Sequence, residues 1–130
     1  MVLDQVQVST LGMDATVEVR LTAAGGPAIG VASGPAVDGY VLRLAAVAAT
    51  SAIDQLLARV TGDQHGRSFV EHAAVVPFGS CEVAVTVILL AYSGTVEQLT
   101  GSALVAGDPR QAVVRATLAA VNRRLEALLG

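Results

Sequence analysis

The chain has 130 residues, 53% hydrophobic and 15% charged, with a formal net charge of -3. That length fits one domain with its own core, and so apolar a composition excludes a disordered chain. The acid balance argues against a general nucleic-acid binder, so no nucleic-acid partner is expected.

Taken in chain order, Val6 and Val8 predict a first strand, and Gly12 turns the chain. Ala15, Val17, Val19 and Leu21 then alternate with Thr16, Glu18, Arg20 and Thr22, the pattern of a half-buried strand. Gly25-Gly26-Pro27 reads as a hairpin turn, and 28–33 returns as a third strand. Gly34-Pro35 breaks it, and Asp38 or a neighbour starts a helix. From Val41 to Val60 the helical pattern is apolar on most sides, so the helix is buried on more than one face. In a small two-layer domain, that means a sheet on one side and another subunit on the other. The polar run Thr61-Gly62-Asp63-Gln64-His65-Gly66 links the halves.

The second half repeats the order. Residues 70–76 are extended, and Pro77 with Gly79 turns the chain. From Cys81 to Tyr92 runs the longest predicted strand, with Val83, Val85, Val87 and Leu89 on one face. Ala84, Ile88 and Leu90 make the opposite face apolar too, which predicts cover on both faces. Cys81, the single cysteine, excludes an internal disulfide, provides no metal set and reads as a packed thiol. Ser93-Gly94 is the hairpin turn before a strand over 95–105. Asp108-Pro109 is the best helix start in the chain, with Asp as N-cap, Pro in the first helical position and Gln111 completing a capping-box-like set. Val114, Leu118, Val121, Leu125 and Leu128 follow as one apolar stripe. Arg110, Arg115, Arg123 and Arg124 read as a solvated helix face with cations toward the C-terminus, where the helix dipole favours them.

The whole is an α+β domain, 1–130, of two βββα repeats at about 4–60 and 69–129, with antiparallel sheet and helices packed on one face. The two Phe, two Tyr and absence of Trp leave a core of small side chains, which a second subunit would supplement. No leader-like apolar segment opens the chain, and the apolar run Val41–Ile53 is too short to span a membrane. A cytoplasmic protein without a membrane partner is expected.

The segment Gly34-Pro35-Ala36-Val37-Asp38-Gly39 at the first helix, with Gly101, Asp108, Ala116, Ala119, Ala120, Val121 and Asn122 in the second unit, resembles one family. It looks like the C-terminal regulatory, dimerising domain of α-isopropylmalate synthase and citramalate synthase. In that family a Gly-Pro-Val-Asp-Ala segment opens the helix; here Ala36 is an extra residue. In that family a catalytic barrel normally precedes the domain, and no barrel is expected within these 130 residues. The resemblance implies a homodimer that binds a small effector such as a branched-chain amino acid, without catalysis of its own. The fold and the dimer carry over better than the ligand, because Ala36 alters the turn in which the family binds its effector.

Asp38 and Asp108, at matching places in the two units, are the candidate polar groups. A helix N-terminus offers unpaired N–H groups to a carboxylate, and an Asp side chain can take an ammonium group. The plain alternative is that both only cap their helices. The expected pocket is Gly34, Pro35, Asp38 and Tyr40 from the first unit with Gly101 and Asp108 from the second. Gly25-Gly26-Pro27 and the glycines from Gly30 to Gly34 lack the Lys of a phosphate loop and read as turn residues. His65 and His72 stand without a nucleophile motif, so no catalytic residues, metal ligands or cofactor are assigned. Two alternatives remain open: a protein-interaction or scaffold domain with no small ligand, and, less favoured, a small enzyme.

Overall fold

The computed structural model describes residues 1–23, 26–61 and 66–129. The order is β1 (Val2–Leu11), β2 (Asp14–Ala23), β3 (Gly26–Pro35), α1 (Asp38–Thr61), β4 (Arg67–Phe78), β5 (Cys81–Tyr92), β6 (Thr95–Leu104) and α2 (Pro109–Leu129). This is an α+β fold of two βββα units. Each unit forms its own three-stranded antiparallel sheet, β1-β2-β3 and β4-β5-β6. Several strands are longer than their alternation suggested. β1 extends well beyond Val6–Val8, because Gln5, Gln7 and Ser9 pair opposite Arg20, Glu18 and Thr16 on the wet face. Gly26 and Pro27 belong to β3, and Gly25 lies outside the described residues. Ser93 and Gly94 both have positive φ, 51° and 77°, the geometry of a two-residue hairpin whose twist matches its strands.

The core follows the alternation in β2, whose Ala15, Val17, Val19 and Leu21 are fully buried. In β5 the buried set is Ala84, Thr86, Ile88 and Leu90, while Val83, Val85, Val87 and Leu89 on the other face are only half-buried. Within one chain, β5 is therefore covered on one face and not on both. Cys81 is exposed, not packed, at the first position of β5 opposite Phe78.

The helix α1 is the element that joins the two units. Its small side chains Ala45, Ala46, Ala48, Ala49 and Ala52 are completely buried, because β2, β3, β4 and α2 all pack against it. The cover expected from another subunit thus comes from the chain's own second half. At 24 residues α1 is also longer than the apolar run in sequence suggested. By length and composition it could cross a membrane, but most of that stretch is buried inside the fold, as in a core helix.

Both edges next to α1 are tied to it. Gln55 donates to the Ile29 carbonyl and accepts from its N–H at 3.1 Å. Arg59 donates to the carbonyls of Gly26 and Pro27. These side chains satisfy backbone groups along the open edge of β3. On β4, Arg43 Nη2 donates to the Val70 carbonyl at 3.2 Å. Asp54 accepts from the Ser68 N–H at 2.7 Å and from Ser68 Oγ at 2.8 Å.

The internal repeat has a structural signature. A Cβ on Gly30 would lie 1.9 Å from the Ala48 carbonyl oxygen and 2.6 Å from the Ala52 N. A Cβ on Gly101 would lie 2.0 Å from the Ala116 oxygen and 2.5 Å from the Ala120 N. Each sheet thus admits its helix backbone at a glycine, and the helix presents two alanines one turn apart. This sets the correspondence between the units: Gly30 with Gly101, and Ala48 with Ala116.

Candidate functional site

That correspondence separates the two aspartates. Ala48 lies eighteen residues after Gly30, whereas Ala116 lies fifteen after Gly101. Asp108 therefore corresponds to Tyr40 and not to Asp38, and α1 begins nearly a turn earlier than α2. The expectation of matching places fails here, because the extra residues of the first unit lie in the first turn of its helix: each helix opens eight residues after its glycine, but Ala48 lies ten residues after Asp38 and Ala116 only seven after Pro109.

The helix starts differ chemically as well. The Asp108 carbonyl accepts the first helical bond, from the Ala112 N–H at 3.2 Å. Its carboxylate accepts from the Arg110 N–H and from Arg110 Nε, both at 2.9 Å. Burial raises the Asp108 carboxyl; the Arg110 side chain, the Arg110 and Gln111 backbone N–H groups and the guanidinium charge outweigh it and hold it below the ordinary carboxylate range. Asp108 is a true N-cap. In α1 the first helical bond is accepted by the Val37 carbonyl, from the Val41 N–H at 2.8 Å. Valine has no side-chain acceptor, so Asp38 sits one place inside the helix. The N–H groups of Asp38, Gly39 and Tyr40 have no acceptor among the described residues. An uncapped helix start of this kind favours an anion.

A cavity of about 450 Å³ opens at this helix start. Its walls come from three places. β1 contributes Val8 and Thr10, the first turn of α1 and its approach contribute Ala36, Asp38, Gly39, Val41 and Leu42, and α2 contributes Pro109 and Arg110. The cavity lies where α2 barely touches β1, in contrast to the close packing of α1 on β4. It brings together one carboxylate, one guanidinium, open helix amides, a hydroxyl and an apolar wall. Its volume falls in the range of small-molecule sites, about 300–1,000 Å³.

Of the six residues expected in a pocket, Asp38 alone lines this cavity. Gly34 lines a separate hollow of about 500 Å³ with Ser9, Asp14, Thr16 and Ser33. A Cβ on Gly34 would lie 2.8 Å from the Tyr40 ring, so Gly34 and Tyr40 pack on each other. Pro35 pairs with Asp14 at the end of β3. Gly101 serves the contact with α2, and Asp108 holds Arg110 rather than lining the cavity itself.

Arg110 lines the candidate cavity, a position the sequence pattern alone does not assign to it. It does not stand with cations at a helix C-terminus but in the first turn of α2, the end the dipole disfavours for a cation. The sequence signal was present: an Arg directly after Asp-Pro at a helix start. Arg124 is not simply solvated either, since its Nη2 meets Glu97 Oε1 at 2.8 Å. His72 is exposed on the outer side of β4, opposite Val87, and His65 lies outside the described residues. Among the described residues, no group of three or more His, Cys, Asp or Glu could hold a metal ion. No protein-family model and no curated protein matches the chain.

Proposed function

We propose that the protein is a non-catalytic, homodimeric regulatory module of the cytoplasm that binds a small amino acid in the cavity at the start of α1. The observation that carries this reading is the meeting of Asp38, Arg110 and the uncapped amides of α1 around one partly apolar cavity. An α-amino acid presents an ammonium group, a carboxylate and a side chain. Asp38 suits the ammonium. Arg110 and the Gly39 and Tyr40 N–H groups suit the carboxylate. Val8, Val41 and Leu42 suit an aliphatic side chain, in keeping with the branched-chain amino acid implied by the resemblance to the isopropylmalate synthase regulatory domain.

A thermal-shift series with amino acids and 2-keto acids tests it. A ligand present at a hundred times its Kd stabilises the native state by about 2.7 kcal/mol. For a chain of this size that raises Tm by about 5–10 °C. The expected result is a shift with aliphatic amino acids, a weaker one with the matching keto acids, which lack the ammonium, and none in Asp38→Ala or Arg110→Ala. A shift undiminished in Asp38→Ala removes this site. No shift with any compound leaves the scaffold reading in its place.

A further inference from the structure

The two sheets have unlike outer faces. On the first sheet the middle strand presents Thr16, Glu18, Arg20 and Thr22 outward. On the second, the middle strand presents Val83, Val85, Val87 and Leu89, all half-buried in the single chain. The flanking strands extend this apolar strip toward its ends, while His72, Thr100 and Ser102 lie opposite its middle and Gln98 opposite Leu89. Phe69 and Val76 of β4 lie opposite Leu89 and Val83, and Leu104 of β6 also lies opposite Val83. Phe69, Val76, Phe78, Val96 and Leu104 are all exposed. Duplication placed the same strands in both units, so the difference lies in the side chains and not in the fold.

We infer that a second copy of this chain covers the outer face of the β4-β5-β6 sheet, the two sheets stacking face to face about a two-fold axis. The inference deepens the homodimer part of the proposed function and is independent of the ligand. Its size fits. Strands of 10–12 residues, at a rise of about 3.3 Å and a spacing of about 4.8 Å, make a face of roughly 500 Å². Two such faces bury about 1,000 Å², the threshold for a biological interface and just below the roughly 1,200–2,000 Å² of standard ones. Its chemistry fits a copy of itself better than a charged partner. The formally charged residues on the face are Arg67, placed over the Phe69 ring, and Glu71, bonded to Gln98 at 2.8 Å; His72 lies there too, opposite Val87. The two formal charges balance, and no excess charge asks for an oppositely charged surface. Aligned packing of two such sheets, about 10 Å apart, interdigitates the valines as in a sandwich core.

The test is the molar mass of the full chain by light scattering or sedimentation at about 1–50 μM, for the native sequence, for Val87→Glu, for the rim variant Leu104→Glu and for the control Thr16→Glu on the other sheet. Far-UV circular dichroism accompanies each variant. The expected result is a dimer for the native chain and for Thr16→Glu, and association weakened at least tenfold for Val87→Glu and Leu104→Glu with unchanged dichroism. Leu104 is two-thirds exposed in the single chain, so its substitution leaves the fold in place should Val87→Glu disturb it. A native dimer that survives both substitutions overturns this face while leaving a homodimer standing. A native monomer at 50 μM overturns the face and the homodimer together, and neither result touches the thermal-shift test of the cavity.

Discussion

At the scale of single residues, the repeat shows where the units differ. Thr86 faces Gly101 across the second sheet, as Val19 faces Gly30 across the first. Val19 and Thr86 are both fully buried, and Thr86 Oγ1 has no hydrogen-bond partner among the described residues. A buried hydroxyl without a partner carries its desolvation cost uncompensated. Thr86→Val keeps the shape and removes that cost. We expect a gain of about 1–2 kcal/mol, read as a higher denaturant midpoint with an unchanged slope. A lower midpoint would show that the hydroxyl is satisfied. The alternation marked position 86 as part of an apolar face, but not that its oxygen would be stranded; that depends on which backbone lies opposite.

At the scale of elements, the contact of each sheet with its helix rests on one glycine. Gly101→Ala would place a methyl group 2.0 Å from a helix carbonyl oxygen, and Gly30→Ala would do the same at 1.9 Å. Backbone has to move in both cases. We expect each to cost about 1–3 kcal/mol or more, the range for overpacked cores, measured by chemical denaturation. A neutral effect at either position would show that the helix can lift off its sheet without loss. In the sequence these glycines looked like turn or ligand residues, because a glycine inside a strand reads alike whether it bends the chain or admits a neighbour. The helix starts were better legible. Asp108-Pro109 announced its cap correctly. At α1 the segment from Gly34 to Asp38 announced a start but not that Val37 would occupy the cap position, which leaves Asp38 free.

At the scale of the molecule, the units are held together by α1, and Asp54 on Ser68 is its polar clasp to the second sheet. Burial raises the Asp54 carboxyl above its ordinary 3.8, and this outweighs the Ser68 side-chain and backbone bonds and the Arg67 charge, which lower it. A carboxyl raised on folding contributes stability that is present below its unfolded value and lost as pH rises through its folded value. Asp54→Asn removes that loss. The stability of the variant relative to the native chain should therefore improve from pH 3 to pH 7, followed by denaturant titration across that range. A relative decline with rising pH would mean that the bonds outweigh the burial. Asp108 has the opposite sign: its contribution is present above the unfolded value and lost as pH falls. The outer faces belong to this scale too, since an apolar strip on β5 is either core or interface, and only the position of the helices decides which.

By itself, the sequence determined the α+β class, the duplicated βββα order, the alternation of β2 and the cap of α2, because each follows from local period or from residues next to one another in the chain. It also carried the apolar character of α1 and of both faces of β5. Only the tertiary structure decided what covers them: α1 is enclosed by the chain's own second unit, while the outer face of β5 stays open. Likewise it alone brought Arg110, from the far end of the sequence, to the cavity beside Asp38. Burial and convergence are set by contacts between residues distant in the chain, and neither composition nor period encodes which of two apolar surfaces a neighbour will reach.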